Sequence, residues 1–226
     1  MKIFLDSANA SEIEKWLGSS LIDGVTTNPT LMYRDGEFNL MAGVQKLATL
    51  IAPLPLSVEV VSNDPEEMYT QGQEIASWAD NLVIKIPQIN TKGVPCYSVM
   101  HRLEKEGIKV NATVALSLSQ VILSAKAGAS YISVFAGRIS DEGGDAGGVV
   151  ADAVDWLTRW QYKSLIIVGS IRSVGDVLQA ALAGAHVVTI PPQFIAKMAD
   201  HRYSRETVQQ FLDDAKKATE MGQRNG

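Results

Sequence analysis

The stretch Asn81-Leu82-Val83-Ile84-Lys85-Ile86-Pro87 is a run of branched apolar residues with one lysine inside it and a proline closing it. Such residues favour extended backbone, and side chains along a strand alternate between its two faces. Leu82, Ile84 and Ile86 therefore share one face, and Val83 and Lys85 share the other. An amine set among hydrocarbon needs a partner or must shed its proton, because burying a lone charge is costly. A neutral lysine is a nucleophile that forms an imine with a carbonyl. Read alone, the run equally fits an edge strand whose lysine lays its stem along the protein and keeps its head in water. The rest of the chain has to decide.

Outward from this strand the sequence alternates. Extended runs are expected at residues 2–5, 22–26, 56–61, 81–87, 108–114, 131–135, 165–168 and 186–190. Helical stretches fall between them at 10–17, 38–51, 62–78, 94–106, 117–127, 149–160, 174–183 and 192–198. Ser11 reads as a cap, Pro65-Glu66-Glu67 as a first helical turn, and Gly107, Gly128 and Gly184 as helix ends. Asn28 before Pro29 reads as a turn residue, and Gly143-Gly144 with Gly147-Gly148 as a turn-rich loop. Regular alternation implies an α/β fold with a parallel sheet. Eight units at this length imply a closed (β/α)8 TIM barrel. An open doubly wound sheet is the alternative, but no Gly-x-Gly-x-x-Gly follows a strand. No linker or composition shift divides residues 1–226, so a single barrel domain is expected. An amphipathic helix at 205–221 is surplus to the barrel; it either caps one end or packs on a neighbouring subunit.

The totals exclude several classes. A chain of 226 residues with 46% hydrophobic and 20% charged residues suits a soluble globular protein with a sizeable core. A net charge of −5 without a basic block argues against nucleic acid. No apolar run reaches membrane-spanning length, and the N-terminus enters a strand without a signal-peptide layout. The one cysteine, Cys96, cannot build an intrachain disulfide and fits a reducing, cytoplasmic setting. His101, His186 and His201 are scattered and match no metal-ligand spacing, so no metal is expected.

Active sites of this barrel lie at the C-terminal ends of its strands. Those ends carry Asp6, then Thr27 and Asn28, Glu59, Lys85, Asn111 with Thr113, Ser133 with Arg138 beyond it, and Ser170 with Arg172. The eighth strand, ending in Ile190-Pro191-Pro192, is expected to supply none. Singly, each has a dull explanation: Asp6 a helix cap, Thr113 strand filler, Ser170 a cap, Arg172 a surface charge. Together they converge on one rim. The segment Gly169-Ser170-Ile171-Arg172-Ser173 leads into a helix, whose N-terminus offers free N–H groups to an anion. Ser170, Arg172 and Arg138 are thus candidates to clamp a phosphate or similar group. Lys85 is the candidate to attack a sugar ketone, Asp6 to act as base on the neighbouring hydroxyl, and Glu59 with Thr113 to hold a relay water. Asn28, Asn111 and Ser133 are candidates to bind hydroxyls of the retained fragment.

These residues stand in recognisable motifs. Asp6-Ser7-Ala8, Asp23-Gly24-Val25-Thr26-Thr27-Asn28-Pro29-Thr30, Val83-Ile84-Lys85-Ile86-Pro87, Asn111-Ala112-Thr113, Ser133-Val134-Phe135-Ala136-Gly137-Arg138 and Ser170-Ile171-Arg172 resemble the signatures of the small transaldolase family, in its fructose-6-phosphate aldolase-like group. The resemblance runs from Phe4 to about Met198. It implies a cofactor-free barrel in which Lys85 forms a Schiff base. It also implies transfer of a dihydroxyacetone unit from a ketose phosphate, such as sedoheptulose 7-phosphate or fructose 6-phosphate, to an aldose phosphate. Glu59 and Phe135 resemble true transaldolases, where the fructose-6-phosphate aldolases carry glutamine and tyrosine; Ser133 points the same way. The resemblance further implies a homo-oligomer, a pentamer or decamer. Val134 in place of proline, the acidic and glycine-rich loop at 139–148 and the run at 88–95 depart from the family pattern. The alternatives are therefore aldolase-type cleavage, or transfer on another anionic sugar such as a sulfosugar.

Overall fold

A computed structural model describes residues 1–224 of the chain. Eight strands close into a parallel barrel in sequence order: β1 (Lys2–Asp6), β2 (Gly24–Thr26), β3 (Leu56–Glu59), β4 (Leu82–Pro87), β5 (Val110–Ala115), β6 (Tyr131–Phe135), β7 (Leu165–Gly169) and β8 (Val187–Ile190). Pairing of Phe4 with Thr189 and Leu5 with Ile190 joins the last strand to the first. Parallel neighbours need long crossovers, and helices supply them. These are α1 (Ala10–Gly18), α2 (Pro29–Arg34), α3 (Leu40–Ile51), α4 (Pro65–Ala76), α5 (Tyr97–Lys105), α6 (Leu118–Ala127), α7 (Ala136–Asp141), α8 (Ala146–Arg159) and α9 (Val174–Leu182). The expected TIM barrel is present.

Period-two alternation sorts the strand residues into two layers. Leu5, Val25, Ile84, Ile86, Ile132 and Val188 are inaccessible to solvent. Gly72 of α4 sits against Leu103 and Ile84, close enough that a Cβ there would lie 2.9 Å from a Leu103 methyl and 3.4 Å from an Ile84 methyl. This is the apolar layer between sheet and helices. On the alternate face, Phe4, Ile167 and Val187 form a buried cluster with Tyr131 packed against it. Gly24, paired with Phe4 across β1 and β2, leaves room for that ring, since a Cβ there would be 2.8 Å from two of its carbons. Further along that same face the side chains become polar: Asp6, Thr26, Lys85, Ser133 and Thr189.

Several boundaries differ from the sequence expectation, each for a local reason. Asn9, not Ser11, caps α1: its side chain accepts the Glu12 N–H at 3.1 Å. Asn28 is more than a turn residue. It caps α2, a helix the periodicity did not reveal, by accepting the Leu31 N–H at 2.9 Å with Pro29 at the first helical position. The stretch 94–106 becomes helical only at Tyr97, because Asn90 Oδ1 accepts the N–H groups of Lys92 and Val94 and Ile89 bridges Pro95. The expected loop at 139–148 is mostly helix. α7 follows β6 directly, and Asp145 caps α8 by accepting the Gly148 N–H at 2.9 Å, which draws Gly147 and Gly148 into its first turn.

The chain divides into two compact units, Met1–Pro192 and Gln193–Gly226. The second holds most of α10 (Pro192–Ala199) and all of α11 (Arg202–Arg224), which is longer at both ends than periodicity implied. Tyr203, Val208, Phe211, Leu212 and Met221 of α11 are exposed. Ion pairs such as Arg202–Glu206, at 2.6 Å, run along its surface. No helix among the described residues is long and apolar enough to cross a membrane.

The sheet–helix layer is close-packed, so a hole in it cannot easily collapse. Ile84→Ala should lower stability by about 2–5 kcal/mol, read as a shift in the urea unfolding midpoint at unchanged slope.

Candidate active site

Lys85 is 5% exposed. Its Nζ donates to the Thr27 carbonyl oxygen at 2.8 Å and lies 3.1 Å from Glu59 Oε2. The sheet register produces this arrangement: Glu59 on β3 is the direct partner of Lys85 on β4, and Lys85 in turn pairs with Asn111 on β5. The lysine therefore has the carboxylate and carbonyl partners that a nearly buried amine requires. The edge-strand reading is excluded, since β4 lies between two neighbours in a closed barrel.

Asp6, at the end of β1, opens on the same cavity. Thr26 Oγ1 donates to Asp6 Oδ1 at 2.8 Å, and the Thr26 and Thr189 hydroxyl oxygens are 2.5 Å apart. With the Thr26 proton given to Asp6, Thr189 donates to Thr26. Burial pushes the Asp6 carboxyl above the usual carboxylate range. The charge of Lys85, the Thr26 hydrogen bond and the charge of Arg34 oppose this without cancelling it.

The remaining barrel-lining groups are tied to one another. Ser133 Oγ donates to Asn111 Oδ1 at 2.7 Å, and Asn111 Nδ2 lies 3.3 Å from Ser57 Oγ. Thr113 Oγ1 is different: it is buried and has no hydrogen-bond partner. The pairing of β5 with β6 slips between Ala112 and Ala115, and Val114 adopts φ +59°. A bulge of this kind re-aims side chains at a barrel rim.

A cavity of about 180 Å³ brings together Asp6, Asn28, Lys85, Ser133, Phe135, Arg138 and Ser170 of the expected residues. Thr27 and Glu59 flank the lysine and line an adjoining crevice that also touches Asn28. Asn111 and Thr113 line neither space and are inaccessible to solvent. Two residues went unanticipated, Thr26 and Thr189, both lining the cavity. The expectation that the eighth strand supplies no polar group is thus corrected. Counting by twos from Val187 would have placed Thr189 inside, whereas attention fell on the prolines that follow.

Arg172 is not among the cavity-lining residues. Both of its terminal nitrogens donate to Asp141, the Nη2–Oδ2 contact at 2.6 Å. Nor is the entry to α9 as open as the sequence implied. Asp176 Oδ2 accepts the N–H groups of Arg172 at 2.8 Å and Ser173 at 3.0 Å, completing a capping box with Ser173. A larger cavity, of about 770 Å³, lies at the strand starts between Lys2, Trp78, Lys109 and Tyr131, away from Lys85 and Asp6. Among the described residues no cluster of three or more histidine, cysteine or acidic side chains is arranged to hold a metal.

Known proteins are similar to this chain in fold or in sequence over most of its length. A mandelate oxidase mutant superimposes with a TM-score of 0.59 at 13% identity, over 84% of this chain and 64% of its own, which speaks to the barrel alone. A probable transaldolase of Lactiplantibacillus plantarum is 42% identical over 217 residues, covering 96% of this chain and 97% of its own length. A probable transaldolase of Dehalococcoides mccartyi is 37% identical over 216 residues, covering 96% and 98%. The family model described as Transaldolase/Fructose-6-phosphate aldolase matches residues 3–225. The chain belongs to the transaldolase/fructose-6-phosphate aldolase family.

Proposed function

We propose that this protein is a transaldolase that moves a dihydroxyacetone unit from a ketose phosphate to an aldose phosphate through a Schiff base on Lys85. The observation that carries this reading is the lysine itself: nearly buried, 3.1 Å from the Glu59 carboxylate, and sharing one cavity with the Asp6 carboxyl.

On this reading the reaction begins at Lys85 and Glu59. Glu59 takes a proton from the Lys85 amine, and the nitrogen lone pair attacks the ketone carbon. The carbinolamine hydroxyl leaves as water, giving an iminium. Glu59 gives that proton back to the departing hydroxyl, with the Thr113 hydroxyl as a second partner for the water formed. Asp6 then removes the proton of the hydroxyl on the far carbon of the bond to be broken, which becomes the aldehyde carbonyl. The carbon–carbon bond opens, its electrons flow to the iminium nitrogen, and an aldose phosphate departs. The enamine left on Lys85 adds to the carbonyl of an acceptor aldose, Asp6 returns its proton to the new hydroxyl, and water releases the product ketose. Asn28 and Ser133 suit the hydroxyls of the retained three-carbon unit, with Asn111 holding Ser133 from behind, Phe135 and Thr27 shape its walls, and Arg138 with Ser170 faces the phosphate end. Arg172 joins that end only by leaving Asp141. The exposed apolar side chains of α11 suit packing on a neighbouring subunit of a homo-oligomer.

Borohydride added with fructose 6-phosphate should fix a covalent adduct on Lys85, located by peptide mapping. Lys85→Ala should lose the adduct and lower turnover on the order of a thousandfold or more, with folding retained by circular dichroism. An adduct elsewhere, or substantial turnover in the variant, removes the imine role. Release of free dihydroxyacetone at full rate without an acceptor aldehyde would instead favour the aldolase reading.

The raised carboxyl of Asp6 gives a pH signature. A base must be ionised, so kcat/KM should fall with decreasing pH at a point above the usual carboxylate range, and Asp6→Asn should be nearly inactive. Stability carries the opposite sign. The folded state binds the Asp6 proton more tightly than the unfolded one, so ionisation costs stability as pH rises from the ordinary carboxylate range through the raised value. Asp6→Asn should therefore be the more stable protein at neutral pH, with the difference vanishing in acid, as read from urea midpoints across pH.

A further inference from the structure

Two arginines of this rim are in different states. Arg138, early in α7, lines the cavity. Arg172, in the loop after β7, is turned to Asp141, the last residue of α7, through a forked pair with both terminal nitrogens engaged. The backbone holds the pair in register. Gly137 packs on the β7 loop so closely that a Cβ would fall 2.2 Å from the Ser170 carbonyl oxygen and 3.0 Å from Arg172 Nε. The Arg172 N–H is in turn pinned to Asp176. The end-on fork of the guanidinium is thus occupied by a carboxylate, and its Nε side lies against Gly137. A tetrahedral anion needs one of those faces for a two-point contact.

Resting on the transaldolase reading for the substrate, we propose that Asp141 is a specificity-determining residue, competing with the substrate's anionic tail for the Arg172 guanidinium. Arg138 alone then meets the tail first, and the second guanidinium is gained only when the anion displaces Asp141. The site's preference for phosphorylated over uncharged sugars is therefore held below what two free arginines would give. The Asp141 carboxyl is held below its usual range, first by the hydrogen bond from Arg172 and also by the charges of Arg172 and Arg138, so the competitor stays ionised at neutral pH. Its side chain is 40% exposed and that of Arg172 is 51% exposed, which makes the pair weak enough for an anion to open.

Asp141→Asn keeps the shape but offers one acceptor oxygen in place of two. It should lower KM for fructose 6-phosphate by about threefold to fivefold, as expected for loss of an exposed ion pair, and tighten inorganic phosphate binding by the same factor in calorimetry. KM for unphosphorylated fructose should not follow. Asp141→Glu, which restores the carboxylate, should behave as the parent protein. In an Arg172→Ala background Asp141→Asn should change nothing. An unchanged phosphate affinity, a higher KM for fructose 6-phosphate in Asp141→Asn, or the same gain without Arg172 would overturn the proposal and make the pair a structural strut. Phosphate binding needs no turnover. Failure of the Lys85 adduct would therefore remove the reaction, while failure of the calorimetric cycle would remove only the role of Asp141.

Discussion

A lysine amine with almost no access to water, facing a carboxylate across one rung of a parallel sheet, is the constraint on which the site depends. Neither Lys85 nor Glu59 finds its partner by sequence proximity. Their contact exists because β3 and β4 pair with Glu59 beside Lys85, and because the barrel closes so that the Thr27 carbonyl comes within 2.8 Å of the same nitrogen. Closure also forbids the escape route open to an edge-strand lysine, which would lay its stem along the surface and solvate its head. An amine so held is partnered but not saturated, since Thr27 and Glu59 leave a face directed to the cavity it shares with Asp6.

The barrel interior changes character along its axis. At the level of Phe4, Ile167 and Val187 it is an ordinary apolar core, tight enough that only glycine fits beside the Phe4 ring. Toward the strand ends it becomes a hydrogen-bonded lattice in which Thr189, Thr26 and Asp6 form one chain and Ser133, Asn111 and Ser57 another. Buried polar groups are tolerable when satisfied and expensive when not. Against that background the raised Asp6 carboxyl is one of the places where folding stability has been given up. Such places are where a reaction finds groups ready to move protons.

Electrostatics at the rim are set by α7, which the sequence presented as loop. Because it follows β6 without a break, Arg138 and Asp141 sit one turn apart on a short helix pressed against the β7 loop through Gly137. That placement gives one arginine to the cavity and withholds the other. A glycine-rich, acidic stretch carries little sign of this when read as composition, since Asp145 converts two of its glycines into a helix start.

The sequence by itself determined the barrel and the family. Eight extended runs of branched residues, separated by helical stretches at regular intervals, leave few alternatives to a parallel closed sheet. Motifs around Asp6, Asn28, Lys85, Asn111, Ser133 and Ser170 are local strings that survive without knowledge of contacts. Period-two arithmetic also set Lys85 on the face opposite Leu82, Ile84 and Ile86, because strand alternation is a property of the chain alone. What only the tertiary structure decided was which polar atoms meet: Thr189 with Thr26, Arg172 with Asp141 rather than the cavity, and the α9 entry already filled by Asp176. Those choices depend on strand register, on capping contests a few residues long and on the close approach of two loops distant in sequence, none of which leaves a periodic trace in the order of the amino acids.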